Sequence, residues 1–178
     1  SGAKLIRNII TGNNLTGRPH CYGGGISANN STNQNLIVEY NIIRGNNSTS
    51  TTGQAIGAGM STYHVDAVIK YNDITDNIAS TLAYNISGIG GGLDLEFGSS
   101  LVEGNLIARN KALSPNCNQD GGGAGGGVWV KVGNTNLLNN RIVENVVQSV
   151  FRAWGGGICM WADAVADLRD IVVKGNYI

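Results

Sequence analysis

Apolar and polar positions along this chain alternate in short runs with a period of two, and the same runs return at a nearly fixed interval. In GGLDLEF (residues 91–97) and GGVWVKV (residues 126–132), Leu93, Leu95, Val128 and Val130 alternate with Asp94, Glu96, Trp129 and Lys131. Such alternation places successive side chains on opposite faces of a strand, whereas an amphipathic helix needs an apolar stripe every three or four residues. Asparagine pairs set five apart recur as Asn8/Asn13, Asn41/Asn46, Asn72/Asn77, Asn105/Asn110 and Asn140/Asn145, and Asn176 reads as the start of a sixth copy. The first members stand 31 to 36 residues apart. Two places inside each copy lies Ile10, Ile43, Ile74, Ile107, Ile142 or Ile178, and three places before it Leu5, Val38, Ile69, Val102, Leu137 or Val173. A glycine triplet returns as well, beginning at Gly23, Gly57, Gly90, Gly125 and Gly155, with Ala58 replacing the middle glycine once.

A period in this range means that one unit cannot bury its apolar face alone and must stack on its neighbours. The pattern therefore predicts an all-β chain: a right-handed, single-stranded parallel β-helix of about five turns, roughly 33 residues each, with three strands per turn. Asparagine at its bends tolerates unusual dihedrals and hydrogen-bonds locally, and copies stacked about 4.8 Å apart form amide ladders. Two ladders are expected, one of Asn8, Asn41, Asn72, Asn105, Asn140 and Asn176 and one of Asn13, Asn46, Asn77, Asn110 and Asn145. The triplets mark a third irregular place, where the chain enters the next strand beneath an overhanging loop and needs close approach or positive φ.

The recurring Asn-x-Ile-x-x-Asn and Gly-Gly-Gly-Ile motifs resemble the right-handed parallel β-helix repeats of the pectate-lyase-like superfamily. They are also similar to the glycine- and asparagine-rich repeats of bacterial surface passenger domains and polymorphic outer-membrane proteins. The resemblance spans essentially the whole chain and implies the fold, but the superfamily hosts lyases, hydrolases, esterases and adhesins. Neither the paired aspartates and Gly-His-Gly of polygalacturonases nor the Trp-x-Asp-His of pectate lyases occurs here.

Composition narrows the partners. The formal net charge is +0 and only 13% of residues are charged, so no basic stripe for nucleic acid exists. No apolar run approaches the roughly 20 residues of a membrane span, and the opening SGAKLIRNII lacks the regions of a signal peptide. Residues 1–178 read as one domain, an excised part of a longer repeat array, secreted or displayed on a cell surface. Exposed coil ends predict end-to-end self-association through Ile6/Ile10 and Val173/Ile178. Cys21, Cys117 and Cys159 lack metal-ligand spacing and read as free or buried thiols.

Chemistry is expected on the outward positions after each triplet. One column reads Ser27, Ser61, Asp94, Trp129 and Cys159, and the next Asn29, Tyr63, Glu96, Lys131 and Trp161. Variable loops carrying His20, Tyr22, Tyr84, Asn116 and Trp154 project beside them and would wall a shallow groove. The face bearing Glu39, Lys70, Glu103 and Lys174 reads instead as solvated. Sugar rings stack on aromatic faces while amides and carboxylates take their hydroxyls, so Tyr63, His64, Tyr84, Trp129, Trp154 and Trp161 are the candidate contacts for a polysaccharide or cell-wall glycan. Alternatively, the loops cover Trp129 and Trp161 as a satellite core. His64 reads equally as a surface hydrogen-bonding residue. Asp94 and Glu96, about 6 to 7 Å apart by strand rise, near the lower edge of the inverting-glycosidase spacing, make a lyase or hydrolase with Lys131 a second reading. The same pair could hold calcium, as carboxylates do in β-helix lyases, with Lys131 or Arg109 as the basic group. A plain salt bridge between Glu96 and Lys131, or a passenger stalk with no ligand, completes the alternatives.

Overall fold

The computed structural model describes residues 2–17, 19–29, 35–84, 86–118 and 121–178. The described residues form the expected all-β solenoid, without a helix, of about 5 turns of parallel strands at a spacing near 33 residues. Each turn is divided more finely than three strands. The turn from Asp66 to Glu96 comprises Asp66–Lys70, Asp73–Thr75, Ile78–Thr81, Gly88–Ile89 and Leu93–Glu96. Left-handed residues stand at three of its breaks and at its end: Tyr71 (φ 54°), Asp76 (59°), Gly90 (58°) and Phe97 (58°). A left-handed non-glycine residue costs about 1 to 2 kcal/mol. At these bends inter-turn bonding continues unbroken, since Tyr71 N–H donates to the Glu103 carbonyl at 3.0 Å and Asp76 N–H to that of Ala108 at 3.0 Å.

Stacking the turns produces parallel sheets of 9, 6, 5 and 5 strands. The largest joins two stacks, because Val128–Leu138 and Ile158–Arg169 each run continuously through a bend that interrupts earlier turns. The sheet Cys21–Tyr22, Ala55–Ile56, Gly88–Ile89, Gly123–Ala124 and Ala153–Trp154 lies within the segment expected to be loop. Two-residue strands carry too little alternation to register as a pattern. Inside the coil Val38, Ile69, Val102 and Leu137 stack beside Ile43, Ile74, Ile107 and Ile142, all fully buried.

Both asparagine ladders are continuous amide chains. Asn8 donates to Asn41, Asn41 to Asn72, Asn72 to Asn105 and Asn105 to Asn140, side chain to side chain at 2.9–3.0 Å. The second ladder runs Asn13, Asn46, Asn77, Asn110, Asn145 and then Asn176. Asn176 thus closes the second ladder and does not extend the first. The triplet Asn176-Tyr177-Ile178 mimics the Asn-x-Ile spacing, but register follows the core: Leu168 pairs with Leu137 and Val173 with Ile142. Ile171 therefore takes the place of Asn140, Ile178 lies outside the isoleucine column, and Lys174 stacks with Val143 while Arg169 joins the Glu103 face.

Candidate functional site

The two outward columns fall in register: Ser27, Ser61, Asp94, Trp129 and Cys159 in one, and Asn29, Tyr63, Glu96, Lys131 and Trp161 in the other. Their environments differ sharply. Ile56, Ile89, Ala124 and Trp154, projecting from the two-residue strands, pack against Trp129 and Cys159. Ser61, Asp94, Trp129 and Cys159 are consequently buried. Trp129 is 5% exposed and joins the satellite core, while Trp161, stacked on it at 6.0 Å between ring centroids, stays 47% exposed.

A cleft of about 470 Å³ follows the second column. Tyr22 and Tyr63 stand at one end, Trp154 and Trp161 at the other, and Glu96 and Lys131 lie between. Trp154 meets Trp161 edge to face at 5.6 Å. At the opposite end Tyr63 packs edge-on against Phe97 at 5.3 Å and His64 at 4.6 Å. His64 does not line the cleft; it sits on the adjoining bend (φ 54°), stacked on Phe97 at 4.9 Å, and props Tyr63. Tyr84, 70% exposed, also lies off the cleft. The alternation in GGLDLEF gives no sign that Phe97 lines it, since its left-handed φ of 58° breaks the period of two at that residue. Arg152 and the strand residues Ile56 and Ile89 are further lining residues without a repeat signal.

Lys131 closes the floor from the next turn. Its Nζ lies 3.7 Å from Glu96 Oε2 and 5.5 Å from the centroid of the Phe97 ring. The pairing of the two long strands slips between Lys131 and Gly133, and Val132 between them has φ 47°. A β-branched residue there is a genuine outlier, and an irregularity of this kind re-aims the neighbouring side chain. Arg109, the other candidate cation, is held elsewhere: it makes a two-pronged contact with Asp76 at 2.8 and 3.1 Å.

The two acidic candidates are divided by the fold. Glu96 lines the cleft, but Asp94 does not: it is 1% exposed, with Oδ2 accepting from Ser61 Oγ at 2.7 Å and Oδ1 without a partner among the described residues. A bond lying in the cleft meets one carboxylate among the described residues, not a flanking pair. Among the described residues no three His, Cys, Asp or Glu side chains gather at one place. Burial, with the negative charge of Glu96 added, holds the Asp94 carboxyl well above the ordinary aspartate range, against the opposing effects of Ser61 and Lys131. Folded Asp94 thus keeps its proton to higher pH than the unfolded chain does, so its contribution to stability falls as pH rises above the unfolded value. Asp94→Asn keeps an oxygen for Ser61 and has no charge to bury. It is expected to gain stability over wild type in urea unfolding at about pH 7 and to show little gain at about pH 4. An equal difference at both pH values would contradict a buried proton.

The three thiols, Cys21, Cys117 and Cys159, are free and buried. Burial pushes the Cys159 thiol up to about 11, which leaves it unreactive at neutral pH. No family model matches this chain, and neither a curated protein nor a solved structure matches it.

Proposed function

We propose that the solenoid binds a saccharide chain laid along its axis in this cleft. The observation that carries the reading is the pair of exposed rings in one column, Tyr63 at 38% and Trp161 at 47%, with a carboxylate and an ammonium between them. Three rungs separate the rings, roughly 14 Å at about 4.8 Å per rung, which accommodates about three pyranose units in line. Sugars offer apolar ring faces for Tyr63 and Trp161 and hydroxyls for the charged floor. The Asn-x-Ile-x-x-Asn and glycine-triplet motifs support placing the chain in the pectate-lyase-like superfamily, and with it an extracellular or cell-surface setting. Burial of Asp94 favours binding over two-carboxylate hydrolysis as the task of this surface.

A glycan array followed by titration calorimetry tests the reading. Trp161→Ala is expected to weaken binding about tenfold, as loss of one stacking ring worth about 1 kcal/mol or more would, while leaving the fold intact. Trp129→Ala is expected to behave differently and lower stability by about 3 kcal/mol, because it empties part of a packed cluster. Unchanged affinity in folded Trp161→Ala would move the site away from this cleft.

A further inference from the structure

We infer that Glu96 and Lys131 form a reader for two adjacent hydroxyls of a neutral saccharide, Glu96 accepting from one and Lys131 donating to the other. This rests on the saccharide reading of the cleft and specifies what its floor recognises.

The starting point is an unspent carboxylate. Glu96 is 8% exposed, yet among the described residues no donor lies within hydrogen-bonding distance of its oxygens. Its nearest cation is Lys131 at 3.7 Å, beyond hydrogen-bond length. The other ion pairs among the described residues close to 2.8–3.1 Å: Arg44 and Arg109 with Asp76, Lys70 with Glu103, and Arg169 with Asp167. Lys70 and Glu103 make the telling comparison, because they too are a lysine and a glutamate stacked directly in register, and they meet at 2.9 Å. Glu96 and Lys131 have the same one-rung relation and stay apart. The Lys131 ammonium leans over the Phe97 ring, which holds it off the carboxylate.

The Lys131 side chain is 36% exposed and the Glu96 side chain 10%, so both charged ends open onto the cleft, where a ligand can bring a donor to one and an acceptor to the other. The complementary ligand brings a donor and an acceptor side by side. An anionic group would satisfy Lys131 but set like charge against Glu96, and an ammonium ligand would do the reverse. Hydroxyls do both, since each can donate and accept. The charged ends are 3.7 Å apart, a spacing matched by two hydroxyls on neighbouring carbons of one ring, a vicinal diol. Tyr63 and Trp161, one rung beyond each partner, are placed to stack on the flanking sugars. Arg152, the second cation lining the cleft, leans on the Phe151 ring with its guanidinium 4.9 Å from the centroid and lies outside the Glu96/Lys131 rungs.

The test uses cellohexaose, xylohexaose and mannohexaose, an oligogalacturonate as the anionic counterpart, and the best neutral binder with its vicinal hydroxyls blocked by O-methylation. Wild type is expected to prefer the free over the methylated sugar by about tenfold, the value of one lost hydrogen bond to a charged group, because a methyl ether still accepts from Lys131 but no longer donates to Glu96. Glu96→Ala should erase that preference, whereas Lys131→Met, like Trp161→Ala, should weaken both sugars by the same factor. A preference that survives in Glu96→Ala, unchanged affinity in Lys131→Met, no preference in wild type, or tighter binding of the oligogalacturonate would overturn the diol reader and leave the saccharide cleft standing. Failure of every saccharide to bind would remove the cleft reading and this inference together.

Discussion

Gly92→Ala is expected to lower the unfolding free energy by about 5 kcal/mol, an exceptional cost for one methyl group. The third glycine of a triplet has an ordinary negative φ, so conformational freedom is not the reason for it. A Cβ there would stand 2.6 Å from the Gly127 carbonyl oxygen of the next turn, and 2.9 Å from Nδ2 and 3.1 Å from Cγ of Asn110. The first obstacle is backbone fixed by the inter-turn bonds, and the second is a rung of the amide ladder. Neither can withdraw without breaking hydrogen bonds. The middle glycine offers the comparison. A Cβ at Gly91 would also approach carbonyl oxygens, at 2.5 and 2.6 Å, yet the equivalent place one turn earlier holds Ala58, fully buried beside Ala55 and Ala79. The coil can therefore yield around a methyl at the middle place, and Gly91→Ala is expected to cost less than half as much. Urea unfolding of the two variants checks this, and equal losses would mean that the triplet is kept for chain flexibility and not for close approach.

What could be seen in the sequence was whatever every turn repeats. Asn41, Asn72 and Asn105 recur because each rung needs the same two donors and one acceptor, and Ile43, Ile74 and Ile107 because each turn fills the same volume. The outward columns followed from the period of two once the triplets set the starting point. Burial of those columns was not visible. Whether Asp94 and Trp129 face water depends on Ile56 and Ile89, which stand in two-residue strands with no periodicity of their own. The contribution of Phe97 depended on a left-handed bend, and the bend position is occupied in successive turns by His64, Phe97 and Val132, three residues without common chemistry. Asn176 was misplaced for the opposite reason: a local motif fitted two registers, and only the pairing of Leu168 and Val173 with the core residues below chose between them. The proposed site lies in the part that does not repeat, so the cleft's composition, different at each rung, carries no periodic signal.

Asn110→Leu is expected to cost about 4 kcal/mol, because one side chain completes several buried groups at once. Asn110 Oδ1 accepts from the main-chain N–H and from Nδ2 of Asn77, at 3.0 and 2.9 Å. Its own Nδ2 donates to the Ile74 carbonyl at 2.9 Å and to Asn145 Oδ1 at 3.0 Å. Leucine is close in size but has neither donor nor acceptor, so the Asn77 main-chain N–H, an Asn77 Nδ2 hydrogen and the Ile74 carbonyl lose these bonds, while Asn145 Oδ1 keeps the main-chain N–H of residue 110, where Asn77, Asn110 and Asn145 are all fully buried and water cannot substitute. The outermost rung of the same ladder makes the control. Among the described residues the Asn13 side chain only donates, from Nδ2 to Asn46 Oδ1 at 2.8 Å beside the main-chain N–H at 3.1 Å, and it is solvent-exposed. Asn13→Leu exposes fewer groups, and water reaches those it does expose, so its cost should stay near 1 kcal/mol. The ratio between the two variants separates two accounts of the repeat. If the asparagines were kept only for their tolerance of bent backbone, both substitutions would cost the same. A loss several times larger at Asn110, read from urea midpoints with unchanged slopes, assigns the difference to the hydrogen bonds that tie one turn to the next.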